Sequence, residues 1–226
     1  MKSKSLCLCA AIVLLSLASC KKDPATNFKN PTNLTNPFFP VAAGKKYIYE
    51  GQTSEGLKHI EEHRLTSTKT ILGITCIEVE FKAFLNGVLI EKALDWYAQD
   101  NSGTVWYFGE AVDNYDENGV LKDHNGSWEA GADGAESGII MQANPKLGMK
   151  YREEYYLNHA EDEAEVTGTG LTVTIPLGTY NNCIKTKNFT RLEPTLNENK
   201  FYAPGIGLVK EEDVTDKTEI RLIAIQ

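Results

Sequence analysis

The chain has 226 residues, of which 42% are hydrophobic, and its 31 Asp and Glu outnumber its 23 Lys and Arg to give a formal charge of −8. This balance excludes a nucleic-acid binder, because neutralising phosphates requires a basic face. The length suits one large β domain or two small ones.

Lys2 and Lys4 open the chain, Leu6 to Leu17 is apolar apart from Ser16, and the run ends in Leu17-Ala18-Ser19-Cys20. A basic start, an apolar stretch and small residues make a signal peptide. The stretch is well short of the ~20 apolar residues that cross a bilayer, and Lys21-Lys22 follow directly. It is therefore expected to be removed. The Leu-Ala-Ser-Cys tetrad resembles the lipobox of bacterial lipoproteins. The resemblance implies cleavage before Cys20, a diacylglycerol on its sulfur and an acyl chain such as palmitate on its freed amine. Two or more such chains anchor a protein stably to a membrane.

Lys21 is not the Asp that resembles an inner-membrane retention signal, and Cys20-Lys21-Lys22-Asp23 is similar to the lysine-then-acid export tag of surface lipoproteins. These likenesses imply an outer-membrane lipoprotein, on the periplasmic face or at the cell surface. The expected organisation is a signal peptide over residues 1–19, a flexible tether over 20–37 rich in Asn, Thr and Pro, and a β domain over 38–226. Maturation removes two lysines and no acid, which takes the formal charge to −10. It also leaves Cys76 and Cys183 besides the anchor. An exported chain with two such cysteines has two readings open, a disulfide or two separate buried thiols.

From Lys45 onward the pattern is short strands broken by turns. Asn86-Gly87 separates two β-rich runs as a tight hairpin does. Further breaks fall at Asp100-Asn101-Ser102-Gly103, Glu117-Asn118-Gly119 and Asn125-Gly126. No window carries a capped helical stripe. The fold class expected is all-β, an antiparallel meander forming a curled sheet or half-barrel.

The two halves also read alike. Gly44 and Tyr47 correspond to Gly148 and Tyr151, Cys76-Ile77 to Cys183-Ile184, and Trp96-Tyr97-Ala98 to Phe201-Tyr202-Ala203, with Gly103 and Val105 matched to Gly207 and Val209. Offsets that hold near 104 in one order suggest pseudo-repeats over 38–125 and 141–226. Gly126 to Ile140 is then an insert without a counterpart.

His59-Ile60-Glu61-Glu62-His63 has the lettering of an inverted zinc-protease motif, which needs a helix. On a strand its histidines stand ~13 Å apart and cannot share an ion. Asn114, Asp116, Asn118 and Gly119 imitate half a calcium loop, but the closing acid would be position 125, an Asn. No metal and no cofactor is expected. Paired carboxylates occur at Glu110 with Asp113 and at Glu153 with Glu154. The densest aromatic region holds Trp96, Trp106, Tyr107, Glu110 and Trp128, either core or a ligand wall.

The strings Tyr97-Ala98-Gln99-Asp100, Trp106-Tyr107-Phe108-Gly109-Glu110 and Ala160-Glu161-Asp162 resemble an uncharacterised family of secreted bacterial β proteins. Phe39-Pro40 with Gly44, and Tyr202-Ala203-Pro204-Gly205 with Gly207-Leu208-Val209, are similar to curled-sheet envelope proteins of the lipoprotein-carrier kind. Neither resemblance implies a reaction. The function expected is a lipid-anchored envelope protein that binds or scaffolds an apolar or sugar-like ligand, a lipid or a glycan, without catalysis. The alternative is a cell-surface glycan hydrolase working through paired carboxylates.

Overall fold

The computed structural model describes residues 27–40 and 42–226. The signal peptide, Cys20 and the start of the tether lie outside the described residues.

Alternating burial dominates the chain, and it forms strands. β1 (Lys46–Gln52), β2 (Leu57–Ile71), β3 (Ile74–Leu85), β4 (Val88–Gln99) and β5 (Val105–Tyr115) make an antiparallel meander. Short β6 (Leu121–Asp123) and β7 (Trp128–Glu129) add to β5, and β8 (Glu136–Met141) pairs with β5 further along. The chain continues through β9 (Lys150–Arg152), β10 (Glu154–Tyr155), β11 (Asp162–Ile175), β12 (Gly178–Thr190), β13 (Glu198–Ala203), β14 (Gly207–Asp213) and β15 (Thr218–Ile225). The order across the sheet is β10-β8-β5-β4-β3-β2-β1-β15-β14-β13-β12-β11-β9. Its two ends, β10 and β9, are separated in sequence by Glu153 alone, so the antiparallel sheet curls until it is nearly a closed barrel.

Local chemistry explains the corners. Asn86 and Gly87 both have positive φ, 51° and 84°, between the paired Leu85 and Val88, the two-residue turn whose twist suits a hairpin. Leu72 and Gly73 repeat this device between β2 and β3, with φ of 50° and 77°.

The strand paths run in parallel through the two halves. β1-β2-β3-β4-β5-β8 and β9-β11-β12-β13-β14-β15 each traverse neighbouring places in one order. Ile77 faces Tyr97 across β3 and β4, and Ile184 faces Tyr202 across β12 and β13. A bulge follows in each, between Trp96 and Tyr97 on the β5 side and between Phe201 and Tyr202 on the β14 side. Two matched pairs shift. Ala98 lies opposite Trp106 and Ala203 opposite Gly207, so Gly207 takes the place of Trp106 rather than of Gly103, and Val209 that of the bulged Phe108 rather than of Val105. The cause is a shorter β13–β14 connection. The segment 126–140 supplies β7 and most of β8, which flanks β5 as β15 flanks β14.

The stretch Asn27–Pro37, expected in the tether, is docked on the barrel. Gln99 Oε1 accepts the amides of Thr35 and Asn36, at 2.8 and 2.9 Å, and Asn36 Nδ2 donates to the carbonyls of Gly103 and Gln142. Leu34 is buried, and the Phe28 ring meets Trp106 and Phe108 edge-on. Cys76 and Cys183 are both free and fully buried, each in a different core cluster. The disulfide reading therefore gives way to two separate thiols.

Candidate functional site

A barrel of this many strands is wider than side chains can fill, unlike one of about eight. The interior here holds a cavity of about 370 Å³. β2 contributes Ile60, Glu62 and Arg64 to its wall, and β4 contributes Glu91, Ala93, Asp95 and Tyr97. These are alternate residues, as one face of a strand requires. β13 presents Glu198, Lys200 and Tyr202 in the same way, while β5 offers Tyr107 and Glu110. Glu153 and Glu154 are adjacent in the chain yet both line the cavity, because the strand is interrupted at Glu153, whose amide donates to the Asp162 carbonyl at 2.7 Å.

The wall carries nine Asp and Glu (Asp162 and Glu211 complete the set) against three cations, Lys58, Arg64 and Lys200, so its formal charge is strongly negative. Burial disfavours the ionised form of a carboxyl group. It pushes Asp95 up to about 7 against the hydrogen bond from Tyr107, and Glu153 to about 7. Burial, then the neighbouring Asp162, take Glu154 to about 8, and burial with Glu211 takes Glu198 to about 7. Glu110 moves well up through burial and then Asp95. Burial works against the Lys200 ammonium too, but Glu211, Glu198 and Glu153 outweigh it and hold its pKa well above the ordinary value.

Aromatic rings close one side. Tyr97 and Tyr107 stack at 4.7 Å, Phe39 meets Tyr97 edge-on at 5.1 Å, and Trp128 meets Tyr107 edge-on at 5.3 Å. The Tyr107 hydroxyl donates to Asp95 Oδ1 at 3.0 Å, and Trp128 Nε1 donates to Glu154 Oε2 at 2.8 Å. Asn188 Nδ2 donates to Glu153 Oε2 at 2.7 Å, while Glu153 Oε1 and Arg64 Nη1 are buried without a partner.

Of the five residues singled out in sequence, Tyr107 and Glu110 line the cavity. Trp128 stands behind it, against Tyr107 and Glu154. Trp96 and Trp106 do not line it. The indole of Trp96 lies under Lys69, with Nζ 3.4 Å from the ring centroid, and Trp106 donates to Asp100. Sequence reasoning names the Glu153 and Glu154 pair, which lines the cavity, but misses Glu62, Asp95, Glu198 and Lys200, although period-two spacing of charge within β2, β4 and β13 is the available signal. Asp113, paired in sequence with Glu110, instead meets His124 at 2.9 Å on the surface.

The other motifs resolve as local structure. His59 and His63 sit along β2, and His59 Nδ1 pairs with Glu50 at 2.8 Å. Asp116 Oδ1 accepts the amides of Asn118 and Val120, closing a hairpin turn. Among the described residues no group of three or more His, Cys, Asp or Glu is arranged to hold a metal ion.

Fold and site together define an antiparallel, nearly closed β-barrel with an acid-rich, partly aromatic interior. No family model and no curated protein matches the chain. A solved structure described as a "putative lipoprotein" from Parabacteroides distasonis ATCC 8503 is similar, with a TM-score of 0.44 and 16% identity, covering 84% of this chain and 99% of that one.

Proposed function

We propose that the protein is a lipid-anchored envelope protein that binds a small ligand inside its barrel without transforming it. The observation that carries this reading is the cavity, whose volume of about 370 Å³ falls among small-molecule sites and whose wall mixes rings with convergent polar groups. Between the ligands expected from sequence, a purely apolar one fits poorly, because it would leave Glu153 Oε1 and Arg64 Nη1 buried without partners. A polar ligand with a ring-stacking face fits better.

The hydrolase alternative has one observation in its favour, the Asp95 and Glu110 carboxyls on facing positions of β4 and β5. Glycoside cleavage needs one acid protonated and its partner ionised, which environments achieve by driving two pKa values apart. Here burial raises both, and the Asp95 carboxyl is already engaged by the Tyr107 hydroxyl at 3.0 Å. Binding is the better reading.

Native mass spectrometry of the protein purified from its own cells tests it. The expected result is a non-covalent small-molecule adduct that is lost on denaturation and absent from an Ala93→Phe variant. A protein that shows no adduct, even after incubation with an envelope extract, overturns the reading. The anchor rests on Cys20, and Cys20→Ala should abolish fatty-acid labelling and leave the protein unattached after fractionation. Equal labelling of the variant would refute it.

A further inference from the structure

We propose that the barrel cavity is a binding site for a small organic cation, an ammonium or guanidinium group carried on an aromatic or alkyl body. The inference rests on the cavity being a ligand site and names the ligand's charge.

Two independent observations meet here. The first is the sign of the wall, nine acids against three cations. The second is Glu153. It is 5% exposed, its Oε2 is engaged by Asn188, and its Oε1 is buried at the cavity wall with no donor. A buried carboxylate oxygen left unpaired is costly, and a donor brought by a ligand removes that cost. A charged donor does so about twice as well as a neutral one.

The wall already accommodates one ammonium. Lys200 faces Glu153, Glu198 and Glu211, with Nζ 4.0 Å from Glu211 Oε2, and it is held charged despite burial. Of the other six, Asp95, Glu110 and Glu154 gather beside the Tyr97–Tyr107 stack, and the only cation that acts on any of these three is the same Lys200, on Glu154. Ring faces attract cations as well, so a ligand body can lie on the tyrosines while its head meets the carboxyls. Arg64 Nη1 is the opposing feature, a buried donor without an acceptor. It can satisfy one oxygen of the ligand, but one guanidinium does not reverse the excess of acids.

Titration calorimetry on the purified full-length protein near pH 8, with tyramine, 4-ethylphenol and 4-hydroxyphenylpropionate, tests the charge because the three share a ring and differ in sign. Tyramine should bind at least about tenfold more tightly than the other two, and Glu153→Gln should weaken tyramine by about tenfold and 4-ethylphenol by no more than about threefold. Glu154→Gln gives the same reading if Glu153→Gln fails to melt cooperatively. Equal or tighter binding of the neutral or anionic probe overturns the cation assignment and leaves the cavity a ligand site. If tyramine does not bind, spermidine replaces it, and failure of both cations overturns the proposal. A native adduct on the protein from cells would in that case still uphold the broader binding reading.

Discussion

Asp95 and Glu110 stand directly opposite each other across β4 and β5, and both line the barrel cavity. Side chains facing each other across strands are about 5 Å apart at Cβ, so two ionised carboxylates here would repel in a medium that screens poorly. Burial pushes both upward in pKa, and the charge of Asp95 raises Glu110 further. Asp95→Asn keeps an oxygen for the Tyr107 hydroxyl and removes the charge. We expect it to stabilise the free protein near pH 8 by about 1 kcal/mol, or about 2–4 °C in melting temperature. Near pH 5, where the native aspartate is already protonated, the gain should vanish. Thermal melts of both proteins at the two pH values measure this, and destabilisation at pH 8 would show that the pair does not repel.

The same acids set a dependence of stability on pH. Asp95, Glu153 and Glu198 rise to about 7 and Glu154 to about 8 in the folded state, whereas unfolded carboxyls titrate near 4. The folded state thus binds more protons than the unfolded one between these values, and stability falls as pH rises through them. Their contribution is complete below the unfolded value and lost above the folded one, and each tenfold gain in proton affinity on folding corresponds to about 1.4 kcal/mol. On the acid side, Glu161, held down by Arg191, and Asp100, held down by hydrogen bonds from Ser102 and Trp106 against its burial, lose their contribution. The melting temperature should therefore peak near pH 5 and decline toward pH 8. A profile that rises over this interval contradicts the buried, proton-holding wall.

The strands, the turns and the antiparallel order are legible because they depend on local signals, such as Asn86-Gly87 with positive φ at both residues. The cavity is not. Glu62, Glu91 and Asp95 alternate along their strands as solvent-facing acids do on a one-sided sheet, and only closure of the barrel by Glu153 between β9 and β10 turns that face inward. Closure is a long-range property that no window of sequence contains. The docking of Asn27–Pro37 is hidden for a related reason. It is held mainly by amide and carbonyl partners on Gln99, Gly103 and Gln142, which composition does not reveal.

The two thiols give a direct chemical test. Burial pushes Cys76 up to about 12, helped by Glu129, and burial also raises Cys183. Thiolate is the reactive form. With both residues fully buried, neither should react with a disulfide reagent in the native protein near pH 8. A chain that begins after Cys20 should release two equivalents in concentrated guanidinium without reductant. Zero equivalents would reveal a bridge between them.

The last prediction concerns the kinship of the two halves. We infer that they descend from one unit by tandem duplication, and the glycines at their entrances allow an energetic test. Gly44 and Gly148 have φ of 80° and 82°, and a Cβ added at either meets nothing within 4 Å. The Gly44 amide donates to the Arg64 carbonyl and the Gly148 amide to the Val166 carbonyl, at 2.6 and 2.8 Å. The partners return the bond in the same way, Arg64 to Lys45 and Val166 to Met149, at 3.0 and 2.8 Å. With no steric term at either site, Gly→Ala costs only the left-handed backbone, about 1–2 kcal/mol. Gly44→Ala and Gly148→Ala should therefore destabilise by amounts equal within about 0.5 kcal/mol, and additively when combined, since distant sites add. Asn, which tolerates this conformation better than Ala, should cost less at both. Denaturant unfolding of the four single variants and the double Ala variant measures these terms. If one glycine proves indifferent to Ala while the other does not, the two entrances are not the same structural element, and the matched register at Ile77–Tyr97 and Ile184–Tyr202 loses its meaning as common descent.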